Sequence, residues 1–299
     1  MEILKINNLQ KRFGEKSVLR GLDLAVPEHS IFGFVGRNGS GKTTTMKAIL
    51  GLLRVDGGEI YVAGERVTYG QSAANRTVGY LPDVPEFYSF LTAREYLTLC
   101  GESLNRSPKE IGGRAEELLR LVGLAGETHR IKGYSRGMKQ RLGIAQALLA
   151  SPRLLICDEP TSALDPIGRK EILDLLRSVS RETTVLFSTH ILSDVERICT
   201  DVALLHNGKI AMQGLVGALL GSHRAEEFTV EVLTQDGADR LLLTFPNARR
   251  VAKETLAFRG GEAEMFAVLD YMRRESIPLS KVERTGVSLE ALFLEVAQA

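Results

Sequence analysis

The sequence predicts an α/β fold. It places a core sheet with an N-terminal antiparallel β subdomain and a helical insertion in residues 1–221, and a small α+β domain in 222–299. Three observations carry this. Short apolar runs end in glycine- or acid-bearing turns that lead into helical stretches, the alternation of a parallel sheet. Residues 84–150 interrupt that alternation with helical periodicity alone. The remainder returns to strand and helix patterns without continuing the first series. The length of 299 residues suits about two domains of roughly 150 residues each.

In the first 30 residues Leu22, Leu24 and Val26 alternate with Asp23 and Ala25, the pattern of a half-buried antiparallel sheet. The continuous run Ile31-Phe32-Gly33-Phe34-Val35 reads as a strand buried on both faces. A glycine-rich turn, 36–42, then opens a helix to about Leu50, and Asp56-Gly57-Gly58 turns the chain into short strands reaching about Tyr80. Helical spacing occupies 91–150, where Thr92-x-x-Glu95 and Ser107-Pro108-x-Glu110 form two capping boxes. The strand–helix alternation resumes with a strand at 154–157, a helix around 171–179, a strand at 184–188, a helix ending at Cys199 and a hairpin on Asn207-Gly208, closing near Gly221. Strand-like alternation at 228–233 and 251–258, with helices at 263–274 and 289–297, makes up the second domain.

Composition removes several function classes. With 38 Lys plus Arg against 37 Asp plus Glu, the net charge of +1 creates no field to collect nucleic acid. The longest stretch without Asp, Glu, Lys or Arg is the 14 residues 210–223, short of the about 20 needed to cross a bilayer. Charges at Glu2, Lys5, Lys11, Arg12, Glu15 and Lys16 fall where a signal peptide would carry its apolar core, so a cytosolic chain is expected. Cys100, Cys157 and Cys199 are odd in number and widely spaced, so buried small hydrophobes are expected rather than a disulfide framework or a zinc site. Any metal would then be held by oxygen.

Gly36-Arg37-Asn38-Gly39-Ser40-Gly41-Lys42-Thr43 fits G-x-x-x-x-G-K-[ST], the P-loop. Glycines let successive backbone N–H groups converge on a phosphate, and the helix that follows turns its positive end to the same anion. Lys42 adds a full charge that reaches two phosphates, and the Thr43 hydroxyl is placed to ligate Mg²⁺, with Thr44 beside it. The fold is accordingly a P-loop NTPase core sheet. Leu154-Leu155-Ile156-Cys157 ends in Asp158-Glu159, which delivers carboxylates to the ligand-binding edge of a parallel sheet. Asp158 is expected to hold Mg²⁺ and Glu159 to polarise the attacking water, while His190, ending the next apolar strand, reaches the γ-phosphate.

Between these lies Tyr134-Ser135-Arg136-Gly137-Met138-Lys139-Gln140-Arg141. With it the set resembles the ATP-binding subunits of ABC transporters over roughly residues 1–220. In that family the segment is the signature, usually Leu-Ser-Gly-Gly-Gln; Ser135 and Gly137 keep the phosphate-touching positions, and Arg136 and Met138 depart. Ser135 also reads as an N-cap, giving a second anion site at a helix start. The resemblance implies two ATP molecules held between the cradle of one subunit and the signature of another, hence a homodimer or heterodimer. It makes Asp165, in Ser162-Ala163-Leu164-Asp165, part of a loop at that interface, and Phe13 the aromatic that stacks on adenine. Asp83 falls where the family carries a glutamine that contacts Mg²⁺ or water, so a nucleotide- and metal-contacting role is implied for it.

The departures and the separate chain resemble the exporter branch, which works with a separate membrane permease at the cytoplasmic face of the membrane. The alternative is a non-transport ATPase of the same superfamily acting on nucleic acid or the ribosome. Such chains carry coiled coils or two cassettes, and a single cradle with near-neutral charge does not match. No Asn-Lys-x-Asp for guanine is present.

Overall fold

A computed structural model describes residues 1–70, 72–104, 106–222, 227–284 and 288–298. The chain divides into two compact units, Met1–Val216 and Gly217–Ala299. The expected boundary near Gly221 adjoins 223–226, which lie outside the described residues.

The first unit opens with two 12-residue strands, β1 (Glu2–Phe13) and β2 (Lys16–Pro27), where shorter ones were expected. They pair antiparallel, and β1 also pairs antiparallel with the strand Gly57–Val62. Next come β3 (Ile31–Gly36), α1 (Lys42–Ile49), β4 (Gly57–Val62), β5 (Glu65–Arg66) and β6 (Val78–Leu81). The helical stretch contains α2 (Ala93–Gly101), α3 (Pro108–Leu121) and α4 (Arg136–Leu148). Both capping boxes form: Thr92 with Glu95 opens α2, and Ser107 with Glu110 opens α3. Then follow β7 (Leu154–Asp158), α5 (Pro166–Val179), β8 (Thr184–Thr189), α6 (Leu192–Ile198), β9 (Asp201–His206) and β10 (Lys209–Leu215). Helix α5 starts earlier than its apolar spacing suggested, because Asp165 caps it and Pro166 occupies its first turn.

Strands β2-β1-β4-β5 form one sheet and β10-β9-β3-β8-β7-β6 a second. In the second, β3, β6, β7, β8 and β9 pair parallel and β10 closes the edge antiparallel. Strand β6, the last of the short strands expected to reach about Tyr80, belongs to the core sheet beside β7. Every residue of β3, β7 and β8 is buried, as apolar runs covered on both faces require. One apolar cluster joins Leu4, Leu22, Phe32, Phe34, Met46, Ile156 and Leu186, so the two sheets and α1 share a core. Cys157 is buried; Cys100 and Cys199 are only partly so, and all three are free thiols.

The unit boundary falls at α7 (Val216–Ser222). The second unit holds β11 (Glu227–Val232), α8 (Gln235–Thr244), β12 (Ala248–Ala252), β13 (Thr255–Arg259), α9 (Glu262–Arg274), β14 (Leu279–Arg284) and α10 (Leu289–Gln298). The order β12-β13-β11-β14 in a β-α-β-β-α-β chain is a ferredoxin-like sheet. Its core stacks Phe228 on Phe258 at 5.0 Å beneath Leu241, Val268 and Met272. The single run expected at 251–258 is two strands, β12 and β13, split by a turn, and α8 and β14 were not foreseen. Both carry many exposed residues, so their patterns are weak. No helix among the described residues is long and apolar enough to cross a membrane.

Candidate functional site

The cradle is built where β3 runs into α1. Gly39 has φ +79° and Gly41 φ +114°, conformations that side-chain-bearing residues avoid, and a Cβ at Gly41 would lie 2.8 Å from Leu19 Cδ2. Helix α1 has no side-chain cap and no acid in its first turn, so its positive end is left to an anion. Arg37, Asn38, Gly39 and Thr43 are exposed, and Thr44 is partly so. Lys42 is 6 % exposed and folds over the loop, its Nζ donating to Gly36 O at 2.7 Å. Ser40 Oγ is buried with no hydrogen-bond partner, a group that a phosphate oxygen would satisfy.

The acid edge meets the cradle from β7. Its parallel register sets Asp158 opposite Ser188 of β8. Asp158, 4 % exposed, accepts from Ser188 Oγ at 2.6 Å and from Thr43 Oγ1 at 2.9 Å. The next residue, Glu159, has φ +47°, a left-handed conformation that is costly for a glutamate. Its N–H lies 3.1 Å from both Ser188 O and Ser188 Oγ. The Glu159 carboxylate stands between two basic groups, with Oε1 3.3 Å from Lys42 Nζ and Oε2 2.9 Å from His190 Nδ1. A carboxylate partner assigns the proton to Nδ1 of His190. Nearby, burial and then the Asp158 charge push the Tyr80 phenol up to about 12.

A divalent cation fits this chemistry. Thr43 Oγ1 and Asp158 Oδ2 are adjacent hard oxygen donors, and no group of three or more His, Cys, Asp or Glu among the described residues forms a dedicated metal cage. A Mg²⁺ held by one hydroxyl and one carboxylate takes its other ligands from phosphate and water.

Lys42, Thr43, Asp158, Glu159 and His190 are thus brought together by the sheet edge. The remaining expected residues lie elsewhere. Phe13 ends β1 with its ring 50 % exposed and Lys11 Nζ 5.2 Å from the ring centroid, so it is not core. Ser135 caps α4, accepting from Met138 N at 3.2 Å, with Gly137 in the first turn. Asp165 caps α5, accepting from Gly168 N at 2.9 Å. The Asp83 carboxylate faces Arg136 at 3.6 Å, and its carbonyl accepts from Gln140 Nε2 at 2.9 Å, so both groups are engaged by α4. Sequence reading missed Ser188, which holds both acids. The available signal was a serine directly after the apolar run 185–187, two residues before His190.

The family model described as ABC transporter matches residues 19–162, a span that contains both the cradle and the acid pair. An uncharacterized ABC transporter ATP-binding protein of Bacillus subtilis, YxlF, is 36% identical over 99% of this chain and 100% of its own length. The bacitracin transport ATP-binding protein BcrA of Bacillus licheniformis is 42% identical over 70% of this chain and 68% of its own. Among solved structures, cbiO1 of Clostridium perfringens, part of the ABC transporter complex cbiONQ, aligns with TM-score 0.68 at 25% identity over 74% of this chain and 91% of its own. A dimeric ATP-binding cassette in a post-hydrolysis state with ADP and Pi aligns with TM-score 0.64 at 26% identity over 71% of this chain and 98% of its own. With cradle, acid edge and full-length relatives in agreement, the chain belongs to the ATP-binding subunits of ABC transporters, ATPases that use ATP with Mg²⁺.

Proposed function

We propose that the chain powers export through a separate membrane permease, by closing and reopening as a dimer on two ATP molecules at the cytoplasmic face of the membrane. The observation that carries the catalytic part is the Glu159 carboxylate, held at 3.3 Å from Lys42 and 2.9 Å from His190 above the cradle. In this reading the triphosphate takes the place of Gly36 O and Glu159 as partner of Lys42, and the loop amides with Ser40 Oγ bind its oxygens. Glu159, released from Lys42, orients water for in-line attack on the γ-phosphorus. His190 directs the Glu159 carboxylate and steadies charge on the γ-phosphate. Thr43 and Asp158 would hold Mg²⁺, which would supply neutralisation of charge on the triphosphate.

Ser135 and Gly137, at the start of α4, serve the ATP of the partner subunit. Phe13, half exposed at the end of β1, stacks on adenine, and Asp165 lies in the loop at the dimer seam. Similarity to the bacitracin transport ATP-binding proteins of Bacillus licheniformis and Enterococcus faecalis supports a transport role, and the motif departures at Asp83, Arg136 and Met138 support export over import. Nucleic acid is no partner in this reading.

The test is turnover against protein concentration, followed by reconstitution. Specific activity that rises with concentration and increases again with a co-purifying permease supports the proposal. Turnover that persists unchanged at high dilution removes the dimer, and the absence of any membrane partner removes transport.

A further inference from the structure

Two departures from the family's usual motifs, Asp83 and Arg136, are partners in this structure. Arg136 NH2 lies 3.6 Å from Asp83 Oδ1, and one helical turn on, the fully buried Gln140 donates to Asp83 O at 2.9 Å. The contact continues along α4. A Cβ at Gly143 would lie 2.5 Å from Leu81 Cδ1 and 3.3 Å from Pro85 Cβ, and one at Gly79 would overlap Ala147 O. Residues 136, 140, 143 and 147 are spaced i, i+4, i+7 and i+11, a single helix face. That face grips the segment 79–85 from end to end.

The gripped segment leads to the catalytic edge. Strand β6 pairs with β7 in parallel register, Leu81 opposite Cys157, so the Asp83 turn emerges beside the end of the strand that carries Asp158. The other end of the same seam is the start of α4, with Ser135 and Gly137. The seam is firm at Gln140 and Gly143 and loose at its tip. The Arg136–Asp83 pair is longer than a hydrogen bond, Asp83 Oδ1 has no hydrogen-bond partner, Arg136 is 44 % exposed, and a cavity of about 220 Å³ lined by both residues, Val84, Pro85 and Lys139 gives the two side chains room to part and re-form.

We infer that Arg136 is a positioning residue which, through Asp83, couples the two phosphate sites of one chain. A shift of the acid edge when ATP fills the cradle is passed along the seam to the Ser135 end of α4, which serves the other ATP. This rests on the two-site dimer proposed above. Binding at one site then favours binding at the second, and the ion pair sets how strongly.

The experiment is ATP hydrolysis by the full chain across a range of ATP concentrations, for the unsubstituted protein, Arg136→Ala, Asp83→Ala, the double variant and the reversed pair Asp83→Arg with Arg136→Asp. The unsubstituted chain is expected to show a Hill coefficient approaching about 2, the number of coupled sites. Each single variant is expected to lower the coefficient measurably, since the pair is half exposed on both sides, and the double to fall no further, because both remove the same contact. The reversed pair, which restores opposite charges but not the original side chains, is expected to regain most of the cooperativity. A Hill coefficient in Arg136→Ala equal to that of the unsubstituted chain overturns the inference and leaves the dimer intact. Failure of the reversed pair, while both singles lose cooperativity, overturns the role of the charge. A coefficient of 1 in the unsubstituted chain overturns the two-site reading and this inference with it.

Discussion

His190 Nδ1 stands 2.9 Å from Glu159 Oε2, although 31 residues separate them in the chain. The meeting is a product of the sheet: β7 and β8 run side by side in parallel, Asp158 opposite Ser188, so the residues that follow each strand emerge at one edge. The second carboxylate oxygen faces Lys42, and Glu159 is therefore shared between the group that binds phosphate and the group that directs the base.

Sharing of this kind makes the two residues act as a unit. Glu159→Gln should lower turnover about 10²–10⁴-fold, the usual worth of a positioned general base, with ATP binding retained because the cradle is untouched. His190→Ala should fall in the same range. The double variant should lie well above the product of the two losses, since each single already breaks the same arrangement. Phosphate release gives turnover and equilibrium dialysis gives binding; Glu159→Gln turning over at the unsubstituted rate would remove it as the base.

Ser188 stabilises both acids without touching substrate in the proposed mechanism. Its hydroxyl donates to Asp158 at 2.6 Å and accepts from the Glu159 N–H at 3.1 Å. Ser188→Ala leaves one oxygen of a buried carboxylate without its donor, for which about 1–3 kcal/mol of stability is the expected loss. Urea unfolding measures it, and the same protein should need more Mg²⁺ for half-maximal ATPase activity because Asp158 is less firmly held. A loss near zero in both would show that water replaces the hydroxyl.

The cradle, the acid pair and both capping boxes were legible because each is local: a few adjacent residues fix the backbone and the chemistry together. Thr92, Glu95, Ser107 and Glu110 take the partners their spacing implies. The Glu159–His190 contact was only partly legible, since position on a common edge can be read from strand order but a 2.9 Å bond cannot. Asp83 was legible as a departure and not as a partner of Arg136, because that pairing depends on how α4 packs on β6. In the second unit α8 and β14 escaped notice for a related reason: a small domain buries little of each element, and exposed positions carry no period.

The capping boxes predict the acid limb of stability. Glu95 is held below the ordinary glutamate range chiefly by the Thr92 backbone N–H, and Glu110 chiefly by the Ser107 hydroxyl. A carboxylate with a lowered folded-state value contributes stability that is present above its ordinary value and is lost as the pH falls through the lowered one. Stability should therefore decline from roughly pH 5 downward, and Glu95→Gln with Glu110→Gln should flatten that decline while lowering stability at neutral pH. Urea midpoints across the acid range check the sign; a steeper decline in the double variant would contradict it.

Asp194 ties the segment after the acid pair to the helix layer. It is 2 % exposed, and it accepts from Thr161 Oγ1 at 2.8 Å and from Arg169 Nε at 2.6 Å. Thr161 is two residues from Glu159, Arg169 lies in α5 and Asp194 in α6, so one carboxylate joins three segments that converge behind the catalytic edge. Asp194→Ala strands a buried hydroxyl and removes the carboxylate partner of Arg169, which keeps its bond to Ser193 Oγ at 3.0 Å. Full burial of both charges would set the cost at about 3–5 kcal/mol, but the Arg169 side chain is 29 % exposed and water recovers part of its hydration, so about 2–3 kcal/mol is expected. Asp194→Asn keeps an acceptor for Thr161 and removes the charge, and should cost about half as much. If the tie also fixes the Glu159 turn, turnover should fall in the order Asn then Ala while KM for ATP stays constant, because neither variant reaches the cradle. Equal stability in the two variants would show that the acceptor kept for Thr161 contributes nothing beyond the charge, and unchanged turnover in Asp194→Ala would show that the Glu159 turn is held without this tie.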